Sequence, residues 1–256
     1  MNTRYTFLLS ILLLAVLIAC ESSMDKSADV GPGGQAGVGG SMARFAIAGD
    51  RLYAVTPASL KVYDVTSPGN PKPGMTLPMS FGVETVFPYK NNLFIGAQDG
   101  MYIFDNSNPD QPRQLSKYEH VMSCDPVVVQ GNYAYVTLRG GVACRRWNPG
   151  VSSLDVIDIS NLSQPRMILS MPMTSPYGLG IDGSQLFVCE GDAGLKTFDV
   201  TNPAQPKLKQ HLRDVQSYDV IPLRNILLVT GQGGLRQYDY SNPEQMTLLS
   251  LIPVEP

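Results

Sequence analysis

Histidine is scarce in this chain: His120 and His211 are the only two among 256 residues. There is no HExxH pair, no Gly-x-Ser-x-Gly elbow and no glycine-rich phosphate loop. Those absences remove the common signatures of zinc proteases, α/β-hydrolases and P-loop enzymes. Charge is sparse as well. Charged residues make up 16% of the chain, with 19 basic side chains against 22 acidic ones. A net charge of −3 offers nothing to a polyanion, so no nucleic-acid partner is expected. With 43% hydrophobic residues the composition also differs from that of a disordered chain. Long helical periodicity is hard to find beyond the N-terminus, whereas glycine (24) and proline (20) are plentiful. Many short strands joined by turns are expected.

The first twenty residues read as an address. Arg4 precedes an apolar run from Phe7 to Ala19, broken only by Ser10. The run falls short of the ~20 residues that span a bilayer as a helix. It suits the hydrophobic part of a secretory signal peptide. Its end, Leu17-Ile18-Ala19-Cys20, resembles the lipobox of bacterial lipoproteins. That resemblance implies that residues 1–19 are removed and that Cys20 carries lipid and anchors the protein to a membrane. A non-cleaved anchor, or an ordinary signal with a coincidental cysteine, are the alternatives. Glu21 stands where an aspartate would favour the inner membrane, so the reading leans towards the outer membrane of the cell envelope. Residues 20–41 are polar and glycine-rich, as in a flexible tether.

From residue 42 to 256 the chain repeats itself. The marker is an apolar stretch ending in Asp, then a Ser/Thr and usually Asn/Ser-Pro. The copies are LKVYDVTSPGNP (60–71), MYIFDNSNPDQP (101–112), LDVIDISNLSQP (154–165), LKTFDVTNPAQP (195–206) and LRQYDYSNPEQM (235–246). Around each marker, period-2 segments rich in β-branched and aromatic residues predict four strands per copy. Four short strands per 40-odd residues is the unit of a propeller blade. The expected fold is all-β: a five-bladed β-propeller, with six blades as the alternative. The marker aspartates Asp64, Asp105, Asp158, Asp199 and Asp239 are expected to cap turns, not to catalyse. The last copy supplies its own outer strand, so a ring-closing strand from the N-terminus is not expected.

These blocks, together with LFV- and AYV-type second strands, resemble the LVIVD repeat. The likeness is closest over residues 123–141 and 176–199, and extends across about 43–254. It implies an exported bacterial or archaeal protein of propeller type. The last copy departs by placing Met246 where the others have Pro.

An exported address permits disulfides. Pairing about the Gly131-Asn132 turn brings Cys124 near an insertion that holds Cys144, and a Cys124–Cys144 bond is predicted. Cys189 is expected to be buried as a small hydrophobe. Without CxxC spacing, no metal site is expected, and no cofactor is implied. The same insertion carries Arg145, Arg146 and Trp147, the sole tryptophan. These three form a candidate partner loop or a cover for the blade edge.

Repeat alignment places Arg44, Glu84, Asp125, Tyr177, Tyr218 and Asp219 around the axial channel mouth. Such varied polar residues suit a binding site, and equally a hydrated channel. The favoured function is a non-enzymatic binding or protein-interaction module, with an envelope protein or a carbohydrate as partner. The alternative is a glycan hydrolase using carboxylates such as Glu84 and Asp125 as acid and base.

Overall fold

The computed structural model describes residues 39–119, 126–140 and 152–254. Every regular element there is a strand, and none is a helix long and apolar enough to cross a membrane. Blade 1 comprises β1 (Phe45–Ala48), β2 (Arg51–Thr56), β3 (Ser59–Asp64) and β4 (Lys72–Pro78). Blade 2 comprises β5 (Val83–Tyr89), β6 (Asn92–Ala97), β7 (Gly100–Asp105) and β8 (Arg113–Glu119). Blade 3 has β9 (Val127–Gln130), β10 (Tyr133–Leu138), β11 (Ser153–Asp158) and β12 (Arg166–Pro172). Blade 4 has β13 (Leu179–Asp182), β14 (Gln185–Cys189), β15 (Leu195–Asp199) and β16 (Lys207–Leu212). Blade 5 has β17 (Asp219–Leu223), β18 (Ile226–Gly231), β19 (Gly234–Asp239) and β20 (Thr247–Ile252). Each blade is an antiparallel meander of four consecutive strands, and the five are arranged as a propeller ring. The described residues form five blades, not six.

The local chemistry repeats with the strands. The inner hairpins turn through left-handed residues: Gly49, Gly131 and Gly183 in three blades, Lys90 in blade 2, and Arg224-Asn225 in blade 5. All five marker aspartates act as turn caps. Each Oδ1 accepts the backbone N–H two residues on, from Thr66, Ser107, Ser160, Thr201 and Ser241, at 2.8–2.9 Å. These bonds stabilise the turn into the fourth strand and leave the carboxylates on the outside of the ring, away from its axis. A register shift recurs between third and fourth strands in every blade, for example at Val156/Ile157 and Thr197/Phe198. Such bulges increase local twist, which fans the outer strands away from the axis.

Four apolar seams join the blades in order, 1 to 2, 2 to 3, 3 to 4 and 4 to 5. A single pattern builds them. An aromatic midway along the second strand is buried against the residue after the marker Asp of the next blade. Phe94 meets Ile159, and Tyr135 meets Val200, in their shared clusters. Phe187 meets Tyr240 with ring centroids 5.0 Å apart. Tyr53 meets Asn106 through a hydrogen bond. Each aromatic is fully buried, which stabilises by roughly 1.5–3 kcal/mol. Blade 5 has Leu228 at this position, and it is only half-buried. Among the described residues no apolar cluster joins blade 5 to blade 1.

Among the described residues, blade 5 is completed by its own β20. A short strap links the blades instead. Ser41, the last residue of the segment read as a tether, is buried. Its Oγ donates to Asp219 Oδ1 at 3.2 Å and accepts from the Leu179 N–H at 2.7 Å. Two residues on, the Ala43 carbonyl accepts from the Val86 N–H at 3.1 Å. The strap therefore runs from blades 4 and 5 to blade 2.

Candidate site at the channel mouth

Inner strands begin, and second strands end, at one end of the ring. Side chains from both therefore converge there. Met42, Arg44, Glu84, Thr85, Pro126, Arg139, Pro176 and Tyr177 line a cavity of about 90 Å³ drawn from blades 1 to 4. Of the residues selected from the repeats, Arg44, Glu84 and Tyr177 are in this lining. Tyr218 stands behind it, with its ring 5.2 Å from that of Tyr177. Asp125 lies outside the described residues.

Asp219 is placed differently. The strap covers it, and its oxygens accept from Ser41 Oγ, the Met42 N–H and the Val220 N–H. Burial lifts its carboxyl above the usual carboxylate range in spite of those bonds. It holds the strap and does not open onto the cavity.

Arg139 was not selected from the sequence. It directly follows β10, the second strand of blade 3, and alignment of the inner strands alone passes over that position. Its guanidinium sits 3.8 Å from the centroid of the Tyr177 ring. Tyr177 thus contacts both a cation and a second ring. Across the cavity, Glu84 accepts a hydrogen bond from Gln98 Nε2 at 3.2 Å. The lining combines two cations, one carboxylate, one engaged aromatic ring and two prolines.

Away from the cavity, blade 4 buries a charge. Glu190 is inaccessible, its Oε2 lies 2.6 Å from Lys196 Nζ, and its Oε1 accepts the Thr174 N–H at 2.7 Å. Next to it, Cys189 is a free, buried thiol, as expected of a small core residue. Burial pushes that thiol far up, which keeps it protonated and unreactive. Among the described residues no group of three or more His, Cys, Asp and Glu could hold a metal ion. Cys20, Cys124, Cys144, Arg145, Arg146 and Trp147 lie outside the described residues.

The LVIVD repeat family matches residues 123–142, 150–172 and 178–214. No curated protein sequence matches the chain. Solved propellers resemble it at low identity. Apo AztD from Citrobacter koseri is 14% identical with a TM-score of 0.57, over 79% of this chain and 59% of that one. A protein from Lactobacillus plantarum is 15% identical with a TM-score of 0.63, over 80% and 69%. The periplasmic gluconolactonase PpgL from Pseudomonas aeruginosa is 19% identical with a TM-score of 0.59, over 82% and 68%. These likenesses concern the fold alone, and the aligned region spans 59% to 69% of the neighbours' lengths. The chain carries the LVIVD repeat and folds as a five-bladed β-propeller.

Proposed function

We propose that this propeller is a non-enzymatic protein-binding module of the bacterial envelope, tethered by a lipid on Cys20, and that its channel mouth receives the partner. One observation carries the reading. The cavity has room for about one side chain, and its lining includes one exposed apolar residue, Met42. Met42 lines it at 43% exposure, and Phe81, three residues before Glu84, is 76% exposed. A small polar pocket beside exposed apolar anchors suits a protein surface. A saccharide asks for a free aromatic face, and the Tyr177 ring is engaged by Arg139 and Tyr218. The hydrolase alternative pairs Glu84, in the lining, with Asp125, which lies outside the described residues.

The experiment is capture from envelope extract with full-length protein in mild detergent. A discrete partner is expected to be retained by the native chain. Phe81→Asp and Arg44→Glu are each expected to reduce retention at least ~10-fold, with the unfolding temperature unchanged. Stabilisation by a glycan, lost in Glu84→Gln, would replace this reading with a small-ligand site. Turnover of that glycan would make the protein an enzyme.

A further inference from the structure

Every blade carries a polar residue on its third strand, three positions before the marker Asp. In blade 1 it is Lys61, which is partly exposed. In blade 2 it is Tyr102, whose hydroxyl lies 3.1 Å from Asp99 Oδ2. In blade 3 it is Asp155, which accepts from Ser170 Oγ at 2.6 Å. In blade 4 it is Lys196, paired with the buried Glu190 at 2.6 Å. In blade 5 it is Arg236, and its Nη1 is buried with no hydrogen-bond partner. Strand register gives the reason. Lys196 lies opposite Val188, two residues before Glu190, and Arg236 lies opposite Val229, two residues before Gly231. Blade 5 therefore keeps the cation of the pair and has glycine in place of the acid. Residue 231 cannot carry that acid, because a Cβ there would stand 2.0 Å from the Gln216 carbonyl oxygen. Asp192, on the neighbouring loop of blade 4, accepts from Gln216 Nε2 at 2.7 Å.

We propose that Arg236 is a carboxylate-binding site, at which a ligand supplies the acid that blade 5 lacks. A guanidinium suits that role. Its planar fork can hold a carboxylate through two parallel N–H bonds, which an ammonium cannot do. The surroundings leave it uncovered. Gln232 and Gly233 beside it are exposed, and a Cβ on Gly233 would stand 2.8 Å from Nη2. A side chain at 233 would therefore lie on the guanidinium. Neither Gly231 nor Gly233 has a positive φ, so the turn itself does not call for them. A buried donor without an acceptor costs stability, which a bound carboxylate would restore. Arg236 is not in the lining of the channel-mouth cavity, so the site is separate from the one discussed above. A small free carboxylate and an acidic side chain of another protein share the required chemistry.

The test follows the Arg236 side-chain N–H signal by NMR in isotope-labelled full-length protein in mild detergent. Sodium acetate is added against a sodium chloride control of equal ionic strength. A saturable shift is expected at Arg236, half complete at or below about 10 mM acetate. Acetate should also raise the unfolding temperature of the native chain more than that of Arg236→Met. Gly233→Leu is expected to weaken binding at least ~10-fold, and it serves as the blocked variant should Arg236→Met fail to fold. The peptide acetyl-Gly-Glu-Gly-amide distinguishes the two sources. Binding at least ~10-fold tighter than acetate supports an acidic protein segment as the ligand, and equal binding supports a small carboxylate. No saturation with the peptide or with acetate up to about 100 mM overturns the proposal. So does an equal response of the native chain and Gly233→Leu, or an Arg236 signal that Asp192→Asn or Asp214→Asn shifts as acetate was expected to, since the acid would then be the chain's own.

Discussion

The Arg139 guanidinium covers the face of Tyr177 at 3.8 Å, so the aromatic ring of the channel mouth is engaged before any partner arrives. The ring also packs against Tyr218, with centroids 5.2 Å apart. A cation over an aromatic contributes about 0.5–1 kcal/mol, and an aromatic pair about 0.5–1.5 kcal/mol. Tyr177→Leu should therefore cost about 1–2 kcal/mol in urea unfolding. Tyr177→Phe should stay within about 0.5 kcal/mol of the native chain, because it retains both ring contacts.

Tyr53 and Asn106 bind blade 1 to blade 2 at full burial. The tyrosine hydroxyl lies 3.0 Å from Asn106 Oδ1 and 2.8 Å from Nδ2. Tyr53→Phe leaves the ring in place and strands the amide in an apolar seam. A buried polar group without its partner costs about 1–3 kcal/mol. The expected loss, read from the urea midpoint, is in that range. Adding Asn106→Val should recover part of it, since the neighbouring seams use Ile159 and Val200 there.

Glu190 and Lys196 allow a sharper comparison. Lys196→Met removes the cation from a carboxylate that has no access to water. Breaking one side of a buried pair costs about 3–5 kcal/mol. The lysine retains some exposure, so a loss of about 3 kcal/mol is expected. The double variant Glu190→Gln with Lys196→Met should be less destabilised than Lys196→Met alone, which unfolding of all three proteins would measure.

Acid should act through the marker turns. The hydroxyl and backbone N–H of the residue two on hold each carboxyl below its usual range; the hydroxyl leads at Asp64, Asp105, Asp199 and Asp239, the N–H at Asp158. Their folded values lie below the ordinary 3.8, so the native state binds fewer protons than the unfolded chain there. The stability they supply is present above the ordinary value and is lost as pH falls through the lowered ones. Asp219 has the opposite sign: burial raises its value, so acid favours the folded form at that one site. Five outweigh one, and the urea midpoint should fall as pH drops below about 4. Asp158→Asn keeps the turn acceptor without the titration and should flatten that fall.

The blades were legible because their determinants are local. Each marker Asp reports a turn two residues away, and period-2 segments report the strands on either side. The mouth was half legible. Arg44, Glu84 and Tyr177 begin inner strands and were found by aligning those strands. Arg139 reaches the same cavity from the end of a second strand, across a seam that alignment does not represent. Asp219 was misplaced as an open rim residue for another reason. The strap approaches it so closely that a side chain at Gly40 would collide with its carboxyl. In composition, that glycine is one of many in a tether. The bare seam was also written in the sequence, as Leu228 where the other second strands carry an aromatic. It was passed over because closure pairs the first repeat with the last, and each repeat was read alone.

Among the described residues the first and last blades share no strand, so no exchanged strand locks blade number. A propeller closed by a borrowed strand cannot gain a repeat at its ends without dividing a blade that already exists. Here a duplicated repeat could be appended after β20, or placed before β1, and would meet a sheet face already shaped for a neighbour. Among the described residues blades 1 and 5 each share an apolar seam with one neighbour only, so amide exchange should spread inward from them to reach blade 3 last.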